Sequence, residues 1–251
     1  MSAERGVGHS SLGTGAPPPV PSAERRVPGL LRASLLVARK DLAIELRTRT
    51  AFFSALVFAL LAVTIFYFAW DATAVPPGDL APGVLWVIFT FAGLLGLHRS
   101  FGVEHADRAI DALLGAPIER EAIFLGKAMA NYVFVVAVQL VAIPAVVLLY
   151  NLDPSALPTL VALTLVAAVG LVAVGTLFGA MTANTRLAEL LLPMLALPFF
   201  VPIVLPAAQA TARLLAGRPA SEAWEWLRIL VAFDVVFLTA CALAFPYTLE
   251  D

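Results

Sequence analysis

Six stretches of this chain carry almost no charge, and each is long enough to cross a lipid bilayer. They cover residues 50–70, 80–97, 128–152, 154–185, 190–212 and 229–249, the last interrupted only by Asp234. A span needs about 20 residues at a rise of about 1.5 Å each. Barrel strands alternate polar and apolar residues in segments of about ten, whereas these runs are apolar all round. Six transmembrane helices are therefore expected in an all-α polytopic membrane protein. The fourth run is longer than one span needs, which leaves its ends open. Composition agrees, with 61% hydrophobic and 14% charged residues, against roughly 45–50% and 25% in soluble domains.

The basic residues give the expected orientation. Eight of the 16 Lys and Arg precede the first run, and none lies in 71–79. Arg99, Arg108, Arg120 and Lys127 follow the second run, Arg186 follows the fourth, and Arg213, Arg218 and Arg228 follow the fifth. Alternating the sides puts 13 on one side and three on the other, and cytoplasmic loops carry the excess. Both termini are expected in the cytoplasm. Residues 1–29 lack the apolar core of a signal peptide, and their Ser, Gly, Pro and Arg content predicts a disordered extension.

Two segments outside the spans are amphipathic. In 30–49, Leu31, Leu35, Ala38, Leu42 and Leu46 recur at helical spacing, while Arg32, Arg39, Lys40 and Arg47 gather on one flank. This predicts a helix lying along the membrane, its cations near anionic headgroups. A plain basic topology signal is the alternative. Between the second and third runs, Val103, Ala106, Ile110, Leu113 and Leu114 share one helical face, with Glu104, Asp107, Arg108 and Asp111 on the others. Gly115 and Pro117 then end that helix. Such an element within 99–127 suits a lever gripped by a soluble partner, or a helix that simply buries its apolar face in lipid.

Within the spans, Pro193, Pro198, Pro202 and Pro206 predict a kinked or broken fifth helix. Gly170, Gly175 and Gly179 in the fourth run, with Ala92 and Gly96 in the second, predict close helix contacts. Asp234, six residues after Arg228, is expected near the outer surface, within reach of water or a headgroup. Asn131, Gln139 and Gln209 are expected to hydrogen-bond between helices.

Several kinds of chemistry have no signature. The chain lacks the glycine-rich loop ending in Gly-Lys-Ser or Gly-Lys-Thr that cradles ATP phosphates, and it lacks spaced His or Cys ligands for a metal. Cys241 is the one cysteine. No catalytic, cofactor or metal site is expected, so energy for any uphill movement would come from another subunit.

The block from Leu80-Ala81-Pro82-Gly83-Val84-Leu85-Trp86 through Leu97-His98-Arg99-Ser100-Phe101 resembles the CcmB family. This is the membrane subunit of the ABC-type heme exporter complex of cytochrome c maturation. The likeness continues through Asp111-Ala112-Leu113-Leu114-Gly115-Ala116-Pro117 and Leu125-Gly126-Lys127-Ala128-Met129-Ala130-Asn131. It also takes in residues 40–47 and the proline-rich fifth run, and spans about 30–251. The resemblance implies a six-span permease domain over 30–251, similar to type-2 ABC exporters, that dimerises and docks an ATP-binding subunit. Other cytochrome c maturation membrane proteins would join it, with heme as possible cargo. Glu104, Asp107, Arg108, Ile110, Asp111, Leu113, Leu114 and Pro117 would relay ATP hydrolysis into the spans. His98 stands where the family pattern has Asn or Glu, the N-terminal extension lies outside that pattern, and Asp234 has no counterpart to lend it a role. Trp86, Trp224 and Trp226 do not form the tryptophan-rich heme motif of neighbouring subunits. The competing expectations are a related permease exporting a drug, lipid or polysaccharide, and a non-transporting scaffold.

Overall fold

Seven α-helices and two short 3-10 turns, with no strand, make up the described residues. The computed structural model describes residues 29–71, 73–106, 119–183, 185 and 187–249, with backbone alone at 99–106, 189, 220 and 249. The helices are α1 (Leu30–Thr48), α2 (Thr50–Ala69), α3 (Pro77–Ala106), α4 (Arg120–Leu149), α5 (Leu157–Thr182), α6 (Ala188–Leu215) and α7 (Ala220–Ala244). The 3-10 turns are Pro154–Ala156 and Phe245–Leu249. Among the described residues, six helices are long and apolar enough to cross a membrane, and each overlaps one of the six uncharged runs.

Local chemistry sets the joints. Between α1 and α2, Arg49 adopts a left-handed conformation with φ 56°. Its N–H donates to the Glu45 carbonyl at 2.6 Å, and the Glu45 carboxylate accepts the Phe52 N–H at 2.9 Å. Just past the end of α6, Gly217 with φ 64° allows Arg218 N–H to return to the Arg213 carbonyl. Asp153 caps the 3-10 turn that starts the fourth span, accepting the Ser155 N–H at 2.9 Å.

Helices α3 and α5 form the centre of the bundle. In each, 72% of the span is buried within the protein, against 22% for α2 and α7. Small residues allow this packing, because they let helix backbones approach closely where lipid offers no hydrophobic drive. A side chain on Gly175 would collide with Leu97, and one on Gly96 with the Phe134 ring. The expected close approaches at Gly96, Gly170 and Gly175 are therefore present. Trp86 of α3 closes the contact with α6, its indole N–H donating to Thr211 Oγ1 at 3.0 Å.

Three expectations change. Of the kinked or broken helix expected from the prolines, the break is absent: α6 runs continuously through Pro193, Pro198, Pro202 and Pro206. Packing on three sides, against α3, α5 and α7, holds it together where proline removes backbone hydrogen bonds. The third span starts earlier than the apolar run, since α4 begins at Arg120 and carries Lys127 inside the bundle. Residues 103–106 do not open a separate cytoplasmic helix. No proline stands between Leu97 and Ala106, so α3 continues unbroken through them.

Six spans return the chain to the end where it began. The Arg120 guanidinium donates to the Pro246 carbonyl at 3.1 Å, which ties the C-terminal turn to the same end of α4 that α1 covers.

Candidate coupling site

The first turns of α4 are held from several directions. Helix α1 lies along α4 and buries Ala33, Ser34, Val37 and Ala38. Gly126 makes this possible, because the Ser34 carbonyl oxygen and Val37 occupy the space a side chain there would need. One residue further on, Lys127 is only 2% exposed and faces Asp41 of α1 at 3.5 Å. Asp41 also pairs with Lys40 at 3.1 Å. A buried cation is retained where a carboxylate offsets its lost hydration. One turn deeper, Asn131 donates its side-chain N–H to Thr176 Oγ1 of α5 at 3.1 Å. On another side, Phe124 packs on Phe245 with ring centroids 5.2 Å apart.

A helix is stiff along its axis, and this one is anchored within about three turns of its start to α1, α5 and the C-terminal turn.

The predicted coupling residues Asp107, Arg108, Ile110, Asp111, Leu113, Leu114 and Pro117 lie outside the described residues. Glu104 belongs to the last turn of α3. The proposed membrane anchors sit on α1, where Arg32, Arg39 and Arg47 are exposed and Lys40 is half-buried against Asp41. The leucine stripe that predicted α1 is mostly left uncovered: Leu31, Leu35 and Leu46 are 81%, 58% and 70% exposed. Ala38 alone of that set is buried in the contact with α4. The Asp41–Lys127 pair is not legible in the sequence, where Lys127 precedes the third uncharged run and so reads as part of the connection before it. Its signal was an acid in an amphipathic helix and a base next to a glycine.

Asp234 is not near the surface. It lies midway along the span Ser221–Thr248 and is 5% exposed. Oδ1 fills the space where a Gly170 side chain would stand, and no donor reaches either oxygen at bonding geometry. Helix α7 starts at Ala220, well before Arg228, and this carries Asp234 too deep to snorkel. Gln139 is also buried with both polar side-chain atoms unpartnered, so helix-to-helix bonding does not explain it. Gln209 bonds within its own helix, accepting from Arg213 at 2.7 Å. Among the three polar residues, only Asn131 bridges helices as expected.

A family model described as CcmB protein matches residues 32–251. The chain belongs to the CcmB family. Among curated relatives, this CcmB family member is 32% identical over 205 residues to heme exporter protein B of Paracoccus denitrificans, covering 82% of this chain and 89% of the relative. It is 32% identical over 174 residues to heme exporter protein B of Rhodobacter capsulatus, covering 69% and 80%. With heme exporter protein B of Pseudomonas aeruginosa the identity is 27% over 211 residues, covering 84% and 94%. The family match contains α1 from Arg32 onward and all six spans, and so every part of the α1–α4 junction.

Proposed function

We propose that this CcmB family member is the membrane permease subunit of an ABC-type heme exporter complex in cytochrome c maturation. It works in the bacterial inner membrane with both termini cytoplasmic. It has no ATPase site of its own: a soluble ATP-binding subunit grips segment 99–127, and nucleotide hydrolysis there moves the start of α4. Heme is the cargo of the complex, the permease pairs with a second copy, and other maturation membrane proteins dock beside it.

The observation that carries the coupling role is the anchorage of α4. The chain leaves the expected grip and enters a helix locked to α1 by Gly126 packing and the Lys127–Asp41 pair. The same helix is locked to the C-terminal turn by Arg120 and Phe124. Small movements at a closely packed junction become discrete shifts of whole helices. The charge distribution supports the sidedness, since the α1 end of the bundle carries most of the basic residues.

Co-purification with the ATP-binding subunit and ATPase measurement test the reading. Glu104→Ala and Leu114→Asp are expected to weaken partner binding or abolish stimulation. Lys127→Met is expected to keep binding and lose stimulation, because it cuts the relay behind the grip. Normal stimulation in all three variants refutes the coupling role. Cysteine labelling of residues 99–127 from the periplasmic face would refute the topology.

A further inference from the structure

A concave apolar groove of about 890 Å³ runs between α1 and the spans α4, α5 and α7. Its size falls within the ~300–1,000 Å³ of small-molecule sites. Helix α1 forms one wall through Leu35, Leu42 and Leu46, and Met129 and Val133 of α4 form the other. Val172 and Ala173 of α5 make a buried floor. From Leu125 to Val133 the groove follows α4 for about 12 Å, climbing from the level of α1 toward the middle of the spans. A second cavity of about 390 Å³ shares Tyr132, Val169 and Leu238 with it and extends its line further.

Of the fifteen residues lining the main groove, Arg39 alone is charged. The other cations nearby are engaged, since Lys40 and Lys127 both face Asp41. Arg39 has no ion-pair partner among the described residues, while its helix buries a different face against α4. The Tyr132 hydroxyl is also taken, donating to the Leu165 carbonyl at 3.0 Å. The groove therefore offers a long apolar channel with one free guanidinium at the α1 level. A guanidinium presents a fork of donors that matches phosphate oxygens.

We propose that this groove binds an anionic phospholipid, with one acyl chain laid between α1 and α4 and the phosphate on Arg39. Charge complementarity selects this occupant. A neutral amphiphile would leave the guanidinium unmatched, and an apolar helix would not answer it. The leaflet facing α1 is the one rich in anionic lipid if α1 is cytoplasmic. The bound chain would fill the space beside the Lys127–Asp41 pair and fix the distance between α1 and α4. The binding itself does not depend on the transport reading.

The test is native mass spectrometry of the full chain released from nanodiscs of equal phosphatidylglycerol and phosphatidylcholine. One phosphatidylglycerol retained per chain is expected. Arg39→Gln should reduce that retention about tenfold through loss of a charge-assisted contact. Arg228→Gln, exposed on α7 and outside the groove, should leave retention unchanged. Ala43→Trp, from an exposed groove position, should fill the channel and displace the lipid, with an unchanged circular dichroism spectrum showing that the variant is folded. Equal retention in the two arginine variants overturns the proposal, as does equal retention of phosphatidylcholine. A lipid-free dimer disrupted by Ala43→Trp also overturns it, by assigning the groove to a second copy of the chain.

Discussion

Replacing Gly126 with alanine puts a methyl group 2.6 Å from the Ser34 carbonyl oxygen and 2.6 Å from Val37 Cβ. Neither obstacle can rotate aside, because one belongs to the backbone and the other is fixed to it. Ordinary contact begins near 3.4 Å, so α1 must retreat from α4 by about 0.8 Å. Overpacking of this kind costs up to about 3 kcal/mol. Alanine returns about 1 kcal/mol through its helix preference, which leaves a net loss of about 2 kcal/mol. For a chain of this size that lowers the melting temperature by roughly 4–8 °C. The loss should be local in origin, loosening the contact at Ala33, Ser34, Val37 and Ala38. Thermal unfolding in detergent reads the first effect, and hydrogen exchange across α1 reads the second. Gly83→Ala is the control, since nothing lies within 4 Å of a side chain there. If Gly126→Ala melts with the wild type and keeps full protection of α1, the two helices are not in this contact and the coupling argument fails.

Lys127→Met should destabilise the protein by up to about 3 kcal/mol, less because Lys40 still faces Asp41. Adding Asp41→Asn should recover part of that loss, which a double-mutant cycle on the two melting curves measures; strict additivity would deny the pair. Thr211→Val strands the buried Trp86 N–H and should cost about 1–2 kcal/mol in chemical denaturation. Asp234→Asn keeps the size of a carboxyl that has no donor, so its melting temperature should match or exceed the wild type, and a fall of several degrees would point to a donor. In the loops, hydrogen bonds from the Thr73 side chain and backbone hold the Asp71 carboxyl below its ordinary value of 3.8, and those from Ser155 do the same for Asp153. Their folded pKa values are depressed, so their stabilisation is complete above about pH 4 and is lost as pH falls through the lower folded values. Asp71→Asn together with Asp153→Asn should therefore lower stability by a constant amount between pH 5 and 8 and flatten its fall below pH 4.

The six spans, their order and their helical nature were legible in the residues alone. Burying unpaired backbone in lipid is so costly that an uncharged run of about 20 residues has few alternatives to a helix. Small residues in α3 and α5 likewise announced the close contacts, because a missing side chain leaves room for a neighbour's to seat against the backbone, as Phe134 does on Gly96 and Leu97 on Gly175. The Leu125–Asn131 block marked the family but not its geometry. Which base meets which acid was beyond the sequence, since Lys127 and Asp41 lie 86 residues apart and only the seating of α1 on Gly126 joins them. The depth of Asp234 was equally hidden. Counting from Arg228 put it near a surface, but α7 begins at Ala220 and carries it to mid-span against Gly170. Hydropathy is a property of each segment and can be read along the chain. Register, pairing and the face turned inward depend on how the helices pack together, and that is a property of the bundle alone.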